Sequence, residues 1–284
     1  MNHDWENEDR LPVVSYQPYV SAYQAIQNLK ENSDTQIPDA AILCSALNFS
    51  FRLPPVIREL IARLYSKLDN IQLRGKEKDK NIEEKEINGT WEKLLPGNRG
   101  LYLVLHSERK SRRSNQLEVE IIKQIIDVGG EIPDGNIGIV TPHRAQRTLL
   151  KTELVDYYEN SIDVIDTVEK FQGGERPNII VSATASDPSA ISKNVEFILN
   201  LNRSNVAFSR VQERLIVVCS KTLLDYIPAE FEHYEETMLW KSLRSQCSQL
   251  IFTETVNEHK VEVFTPPLEQ ISENLNEQVK PFNN

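Results

Sequence analysis

The feature that most restricts the fold of this chain is the alternation of short apolar runs with longer segments of helical period. The apolar runs are mostly continuous and rich in β-branched residues, as strands buried in a parallel sheet require. The predicted strands are 101–107, 137–141, 162–165, 178–184 and 214–220. The predicted helices are 55–68, 116–128, 144–158 and 231–246. This order predicts an α/β fold, a three-layer parallel sheet with helices on both faces.

Composition limits the classes of protein to which the chain can belong. Of its 284 residues, 39% are hydrophobic, which is enough for a sizeable core. Lys and Arg total 32 and Asp and Glu total 42, so the net charge of 32 − 42 = −10 argues against coating nucleic acid by bulk attraction. Any binding of nucleic acid must therefore be local.

Cysteine usage and hydropathy predict the compartment. Cys44, Cys219 and Cys247 are odd in number and far apart, which indicates neither a disulfide framework nor a metal site. No apolar run is long enough to span a bilayer, and the N-terminus is acidic where a secretory signal would be basic. We expect a cytoplasmic protein without a membrane partner.

Breaks in the pattern predict the domain organisation. Residues 1–40 form an N-terminal segment and 41–247 the main domain, with a solvated, charged insertion at 74–90. Residues 248–284 form a C-terminal extension. It begins with a hairpin that turns around Asn257 and ends in an acidic, Asn-rich tail that we expect to be disordered.

Residues 165–184 predict a strand, a polar loop and a second strand. The loop carries Thr167, Gln172, Gly173 and Glu175, and loops at the carboxyl ends of parallel strands are where such sheets bind ligands. The glycine lets the backbone approach another group, while the polar side chains can bond phosphate or ribose oxygens. An ordinary turn with a Gly-Gly step explains the residues equally well.

Residues 201–218 predict a helix that bears arginines and leads into an apolar strand. Arg203 and Arg210 lie two helical turns apart, so both are predicted to project from one face. A guanidinium fork matches phosphate oxygens and suits the charge that develops in phosphoryl transfer. The alternative is that both are surface arginines paired with nearby acids.

Two further segments combine a strand end with groups that can bind nucleotide or nucleic acid. In the first, Phe51 can stack on a base and Arg52 can reach a phosphate; the alternative is a core phenylalanine beside a solvated arginine. In the second, a buried strand breaks at a proline and a helix begins, which is a suitable phosphate clamp. The residues presented there are Thr141, Pro142, His143, Arg144 and Gln146, with His143 expected at the surface rather than in catalysis.

Taken together, these segments resemble the second, RecA-like motor domain of superfamily 1 helicases, in the branch that includes the nonsense-mediated-decay RNA helicase. The aromatic-Arg motif and motifs IV, V and VI resemble, in that order, FSFRLPP at 49–55, IGIVTPHRAQ at 137–146, DTVEKFQGGE at 166–175 and LNRSNVAFSR at 201–210. The helix before motif IV is similar to 111–126. The resemblance therefore covers most of the chain and implies a sheet of the P-loop NTPase type.

The resemblance also implies roles for individual residues. Arg210 would be the arginine finger, and Arg52 would join it at the γ-phosphate of ATP. The other nucleotide-binding residues would be Phe51, Gln172, Gly173, Glu175 and Arg203. The nucleic-acid-binding residues would be Thr141, Pro142, Arg144, Gln146 and Thr167. The chain departs from the family at Asn202 and Gly174, where basic residues are common.

The resemblance does not extend to the first motor domain. The phosphate-binding loop G-x-x-x-x-G-K-[ST] is missing, because the Gly-Lys step at Gly75 and Lys76 is followed by Glu77. The opening residues resemble a degenerate motif III, with Asp4, Leu11 and Pro12 as its matching positions. We therefore expect the chain to begin just before the junction between the two motor domains.

Two hypotheses about function follow. In the first, the chain is a helicase motor part that acts on single-stranded nucleic acid. ATP with Mg would then be bound mainly by an N-terminal RecA-like ATPase domain, in cis or on a separate chain. In the second, the chain is a non-catalytic nucleic-acid-binding or regulatory module that retains the helicase fold. The missing loop favours the second, and the joint retention of Arg52, Gln172, Glu175 and Arg210 favours the first.

Overall fold

The centre of the fold is a sheet built from the apolar runs. The computed structural model describes residues 53–62, 91–94, 100–127, 136–171, 174–230 and 233–267, all within the compact unit Asn48–Asn284. The described helices are α1 (Pro55–Ala62), α2 (Gln116–Asp127), α3 (Arg144–Tyr158), α4 (Pro188–Lys193), α5 (Val195–Ile198), α6 (Leu201–Phe208), α7 (Lys221–Asp225) and α8 (Tyr234–Gln246), with a 3₁₀ turn at Trp91–Leu94. The strands are β1 (Gly100–His106), β2 (Ile137–Thr141), β3 (Ile162–Thr167), β4 (Arg176–Ser182), β5 (Val211–Ser220), β6 (Gln249–Val256) and β7 (His259–Thr265).

All seven described strands belong to one sheet, in the order β3-β2-β4-β5-β1-β7-β6. The first five are parallel, which confirms the α/β prediction. The hairpin expected around Asn257 is confirmed as β6 and β7, with Asn257 and Glu258 both at positive φ as a tight hairpin turn requires. Strand β7 pairs antiparallel with β1, so the sheet is mixed rather than wholly parallel.

The sheet separates two hydrophobic cores. Successive side chains of β5 point to opposite faces, so Leu215 and Val217 join one core while Ile216 and Val218 join the other. Helices α1 and α4 to α8 cover the first face. Helices α2 and α3 cover the second. This arrangement confirms the three predicted layers.

The parallel strands give the sheet two chemically distinct edges. We call the edge where β1 to β5 end the carboxyl edge, and the edge where they begin the amino edge. Residues 168–175 connect the end of β3 to the start of β4, so this segment runs from the carboxyl edge back to the amino edge. Helix α6 also runs in that direction, because it follows β4 and precedes β5.

Candidate functional site

The polar loop predicted at 165–175 divides its residues between the two edges. Thr167 ends β3 at the carboxyl edge, where its carbonyl accepts hydrogen bonds from the backbone N–H groups of Lys170 and Phe171, both at 3.0 Å. Glu175 precedes β4 at the amino edge. Of the described residues of this loop, Thr167 and Glu175 therefore lie at opposite edges and do not form one site at the carboxyl ends of the strands.

The buried Phe171 ring anchors the crossing from β3 to β4 on the sheet. It lies against Gly138 of β2, where an added Cβ would come within 2.7 Å of the Phe171 Cζ atom. That distance is well below van der Waals contact, so this position excludes every side chain as long as Phe171 keeps its place. The absence of a side chain at Gly138 thereby leaves room for the ring that holds the crossing against the sheet.

Glu175 and Arg210 lie in neighbouring segments at the amino edge, whereas the ligand-binding loop was predicted at the carboxyl ends of the strands. The Arg210 carbonyl accepts a hydrogen bond from the Arg176 N–H at 3.1 Å, and the Gln212 side chain donates to the Glu175 carboxylate at 3.3 Å. The Arg210 side chain is half-buried, and its Nε atom has no hydrogen-bond partner among the described residues. This edge therefore holds a half-buried arginine whose Nε–H group lacks an acceptor and is itself shielded from solvent.

The prediction that Arg203 and Arg210 share one helix face is wrong. Helix α6 ends at Phe208, so Arg210 lies beyond it, next to β5. Arg203 lies in the first turn of α6, at the carboxyl edge. The reason is local: Ser209 caps the helix C-terminus, and the chain then turns into the strand.

Arg203 is held by partners of its own. Its guanidinium pairs with the Glu169 carboxylate, donates to the carbonyls of Phe197 at 2.8 Å and Pro142 at 3.4 Å, and lies 3.9 Å from the centre of the Phe197 ring. These contacts join three segments that follow β2, β3 and β4 in the chain. The structure thus places Arg203 at the carboxyl edge, although the resemblance assigns it to the nucleotide together with Glu175 and Arg210.

The residues predicted at the start of α3 separate into exposed and buried groups. Pro142 is half-buried and Arg144 is exposed at the carboxyl edge. Thr141 is fully buried, with its hydroxyl 3.0 Å from the Thr184 hydroxyl. Gln146 is also fully buried, and its amide bonds both backbone groups of Asn115 and the Ser182 hydroxyl.

Gln146 is therefore an interior structural residue, contrary to its prediction as a contact for nucleic acid. Its side-chain oxygen and nitrogen are both occupied inside the protein. Thr141 likewise presents no accessible side-chain atom in this structure. Of these predicted residues, only Pro142 and Arg144 have a surface that a ligand can touch.

His143 lies between these groups, at the N-cap of α3. Its ring stacks at a tilt on Phe197, with 5.1 Å between ring centres. Burial, followed by the positive charges of Arg203 and Arg113, lowers the pKa of His143 from 6.5 to about 4. The ring is consequently neutral at pH 7, which fits a packing role rather than proton transfer.

The sequence analysis missed a buried polar network behind the carboxyl edge. Glu118 of α2 is fully buried and accepts hydrogen bonds from the Ser182 hydroxyl and the Thr184 N–H, with His106 at 3.2 Å. Asn115 caps the same helix by accepting from the Glu118 N–H at 3.1 Å, and its amide donates to the Thr184 carbonyl at 3.0 Å. The network fixes the loops that follow β1 and β4.

One signal in the sequence could have revealed this network. Glu118 precedes Ile121, Ile122 and Ile125 by three, four and seven residues, so it lies on the apolar face of α2. An acidic residue on a buried helix face must find hydrogen-bond donors. Ser182 and Thr184, which donate to Glu118, lie far along the chain, so only the folded structure identifies them as its partners.

The remaining predicted residues, Phe51, Arg52, Gln172 and Gly173, lie outside the described residues. Within the described ranges, no group of three or more His, Cys, Asp or Glu side chains is arranged to hold a metal ion. No helix in those ranges combines the length and the apolar character needed to cross a membrane.

Comparison with known proteins gives the family. The probable helicase senataxin of Mus musculus is 33% identical over 104 residues, which are 36% of this chain and 4% of that protein. The DNA polymerase alpha-associated DNA helicase A of Saccharomyces cerevisiae is 33% identical over 106 residues, 37% of this chain and 15% of that protein. An uncharacterized ATP-dependent helicase of Methanocaldococcus jannaschii is 25% identical over 207 residues, 69% of this chain and 29% of that protein.

These matches therefore span less than a third of each of those relatives. Residues 26–222, more than half of the chain, match the AAA domain family. The protein belongs to the AAA domain family, and its sequence is similar to those of proteins described as helicases.

Proposed function

We propose that this protein is the second motor domain of a superfamily 1 helicase, in the branch that includes the nonsense-mediated-decay RNA helicase. It supplies an arginine finger to ATP on a neighbouring RecA-like ATPase domain and forms part of the track for single-stranded nucleic acid. The observation that carries the proposal is the position of Arg210. Its Nε atom, without a partner among the described residues, lies at the amino edge beside Glu175, while the exposed Arg144 lies at the opposite edge.

The residues at the amino edge fit one part of an ATP site. The guanidinium of Arg210 keeps its charge at every physiological pH and can donate to two phosphate oxygens. In this proposal ATP and Mg are bound mainly by the neighbouring domain, as the resemblance implies. Bound ATP supplies the phosphoryl group, and Arg210 stabilises the charge that develops as this group leaves.

The carboxyl edge fits a track for single strands. The exposed Arg144 stands at the start of α3, where free backbone N–H groups and the helix dipole favour an anion. Pro142, which follows the last residue of β2, is half-buried and leaves part of its own surface accessible. The names of the relatives support this half, since the Mus musculus, Saccharomyces cerevisiae and Methanocaldococcus jannaschii proteins are all described as helicases.

Reconstitution tests the proposal. The purified chain is mixed with the first motor domain of a related helicase, and ATP hydrolysis is measured with and without a single-stranded homopolymer. We expect stimulated hydrolysis that falls by roughly 10³- to 10⁵-fold in Arg210→Ala, as removal of an arginine finger does. Lys151→Ala, which removes an exposed charge from the middle of α3, is the matched control and should keep the wild-type rate.

A second candidate is a non-catalytic binding module. It is favoured by the contacts of Arg203. The resemblance assigns Arg203 to nucleotide, but its side chain pairs with Glu169 at the carboxyl edge. In that case the mixture would bind nucleic acid but show no stimulated hydrolysis, and Arg210→Ala would change neither property. That result would overturn the motor proposal.

A further inference from the structure

The loop that joins β1 to α2 concentrates positive charge on an acidic protein. Residues 107–115 read SERKSRRSN in a chain whose net charge is −10. All four cations of the loop are exposed, and they are Arg109, Lys110, Arg112 and Arg113. Its one carboxylate, Glu108, is only 9% exposed. The surface that the loop shows to solvent is therefore strongly positive.

The buried Glu108 side chain fixes the conformation of this loop through hydrogen bonds. The carboxylate accepts hydrogen bonds from the Lys110 N–H at 2.6 Å, the Ser111 N–H at 3.4 Å and the Ser186 hydroxyl. Burial by itself would raise the pKa of Glu108, but the hydrogen bonds from Ser186, Lys110 and Ser111 outweigh it and lower the pKa. The carboxylate oxygens are thus occupied by neutral donors, and the single negative charge leaves the loop with a net charge of 4 − 1 = +3.

Hydrogen bonds also attach the loop to both neighbouring segments of the carboxyl edge. The Ser111 carbonyl accepts from the N–H groups of Ser186 and Asp187, each at 2.9 Å. At the other end of the loop, the Asn115 N–H donates to the Gln146 side chain at 2.6 Å. The end of the loop thus lies beside the start of α3, which carries Arg144.

Little in the described structure neutralises these side chains. Arg112 lies 3.8 Å from the Asp187 carboxylate, yet 72% of its side chain is exposed. Such a pair contributes little in water and is easily exchanged for another anion. Arg113 is near enough to His143 to lower the pKa of that ring, after burial and Arg203.

We propose that the loop 107–115 is a phosphate-binding platform that extends the nucleic-acid track beyond Arg144. This inference rests on the proposed function, because it takes the carboxyl edge to be the side that binds single strands. The ligand is the sugar-phosphate backbone, which guanidinium forks bind in a bidentate manner. Since the loop contains no aromatic residue for stacking on bases, its contribution is independent of base sequence.

Salt dependence provides the test. Binding of the full chain to a fluorescently labelled single-stranded homopolymer is followed by anisotropy between about 50 and 200 mM salt. In Arg109→Gln/Lys110→Gln/Arg112→Gln/Arg113→Gln, we expect affinity to fall at least about tenfold and the logarithmic salt slope to shrink by about 0.7 for each lost phosphate contact. The charge-preserving Arg112→Lys/Arg113→Lys should retain most of the slope.

Two controls separate the possible failures. Lys151→Gln removes one exposed charge from the middle of α3 and should bind like the wild type, whereas Arg113→Gln should bind more weakly. Wild-type affinity and slope in the fourfold variant, with binding lost in Arg144→Gln, would overturn the platform and leave the proposed track intact. Absence of binding by the wild type would overturn the proposed track and the platform together.

Discussion

Both carboxylate oxygens of Glu118 lie 2.9 Å from the backbone nitrogen of Thr184, a residue that the fold holds at φ 74°. Positive φ is unfavourable for a β-branched residue, and such strain persists only where the surroundings impose it. Glu118 is one of the groups that hold Thr184 here, together with Asn115 at its carbonyl and Thr141 at its hydroxyl. Because Glu118 belongs to α2, this helix helps to hold the segment after β4. The loop 107–115 is attached to the same segment.

Removing this acid should destabilise the protein strongly. In Glu118→Ala the buried donors of Ser182 and Thr184 lose their acceptor, and each unsatisfied group costs about 1–3 kcal/mol. Glu118→Gln keeps one acceptor oxygen and should cost less. Urea unfolding followed by circular dichroism measures the difference, and equal unfolding midpoints for the two variants would contradict this role.

Glycine should be tolerated at position 184 better than alanine. Both substitutions remove the hydroxyl that contacts Thr141, but only glycine adopts positive φ without strain. Thr184→Gly should therefore be more stable than Thr184→Ala by roughly 0.5–1 kcal/mol, after allowance for the freedom of glycine in the unfolded chain. If urea titrations rank the two variants in the opposite order, Thr184 is not strained.

A side chain at Gly138 should disturb the crossing from β3 to β4. Gly138→Ala places a methyl group 2.7 Å from the Phe171 ring, and overpacking of this kind costs about 1–3 kcal/mol. Phe171→Leu makes room for that methyl group. The double variant should thus be more stable than the sum of the single effects predicts, and strict additivity in a double-mutant cycle would show that the two residues do not compete for space.

The two arginines of the 201–210 segment should differ in their effects on stability. Arg203→Ala removes an ion pair with Glu169, two carbonyl contacts and a cation–π contact, so we expect a loss of about 1–3 kcal/mol. Arg210→Ala should change the free energy of unfolding by less than about 0.5 kcal/mol. Thermal unfolding compares them, with Arg203→Lys as the variant that keeps the charge but loses the planar fork.

His143 should make stability depend on pH. Its pKa is about 4 in the folded protein and near the ordinary 6.5 in the unfolded chain. As pH falls from 6.5 towards 4, the unfolded state takes up a proton that the folded state does not, so the free energy of unfolding decreases. His143→Gln should reduce this dependence in urea titrations at about pH 7, 6 and 5. An unchanged pH profile would argue against the lowered pKa.

Most of the sheet was predictable because its strands carry a local sequence signal, either a continuous apolar run or a neighbouring turn residue. Continuous apolar runs predicted β1, β2 and β5 to within a few residues, and turn residues at Asn257 predicted the β6–β7 hairpin. The predicted end of β4 at Thr184 was two residues too late, since positive φ breaks the extended chain there. That conformation depends on Glu118, which is 66 residues away in the chain.

The candidate site was less predictable because its contacts are long-range. Gln146 follows a phosphate-clamp pattern, yet its amide binds Asn115 and Ser182, which join it only in the folded sheet. The seven-residue spacing of Arg203 and Arg210 indicated one helix face, but a spacing rule holds only while the helix continues. Both errors arise where tertiary contacts override a local pattern.

The parallel sheet acts as a spacer between its two edges. Strand β4 has seven residues, and at about 3.3 Å per residue its ends are roughly 23 Å apart. Substitutions at Arg113 and Arg210 therefore share no partner, and their effects on the unfolding of the isolated chain should sum to within about 0.5 kcal/mol. The same two substitutions can be combined when a second motor domain and its ligands are present. Any larger non-additivity then directly measures energetic coupling across the length of the strands.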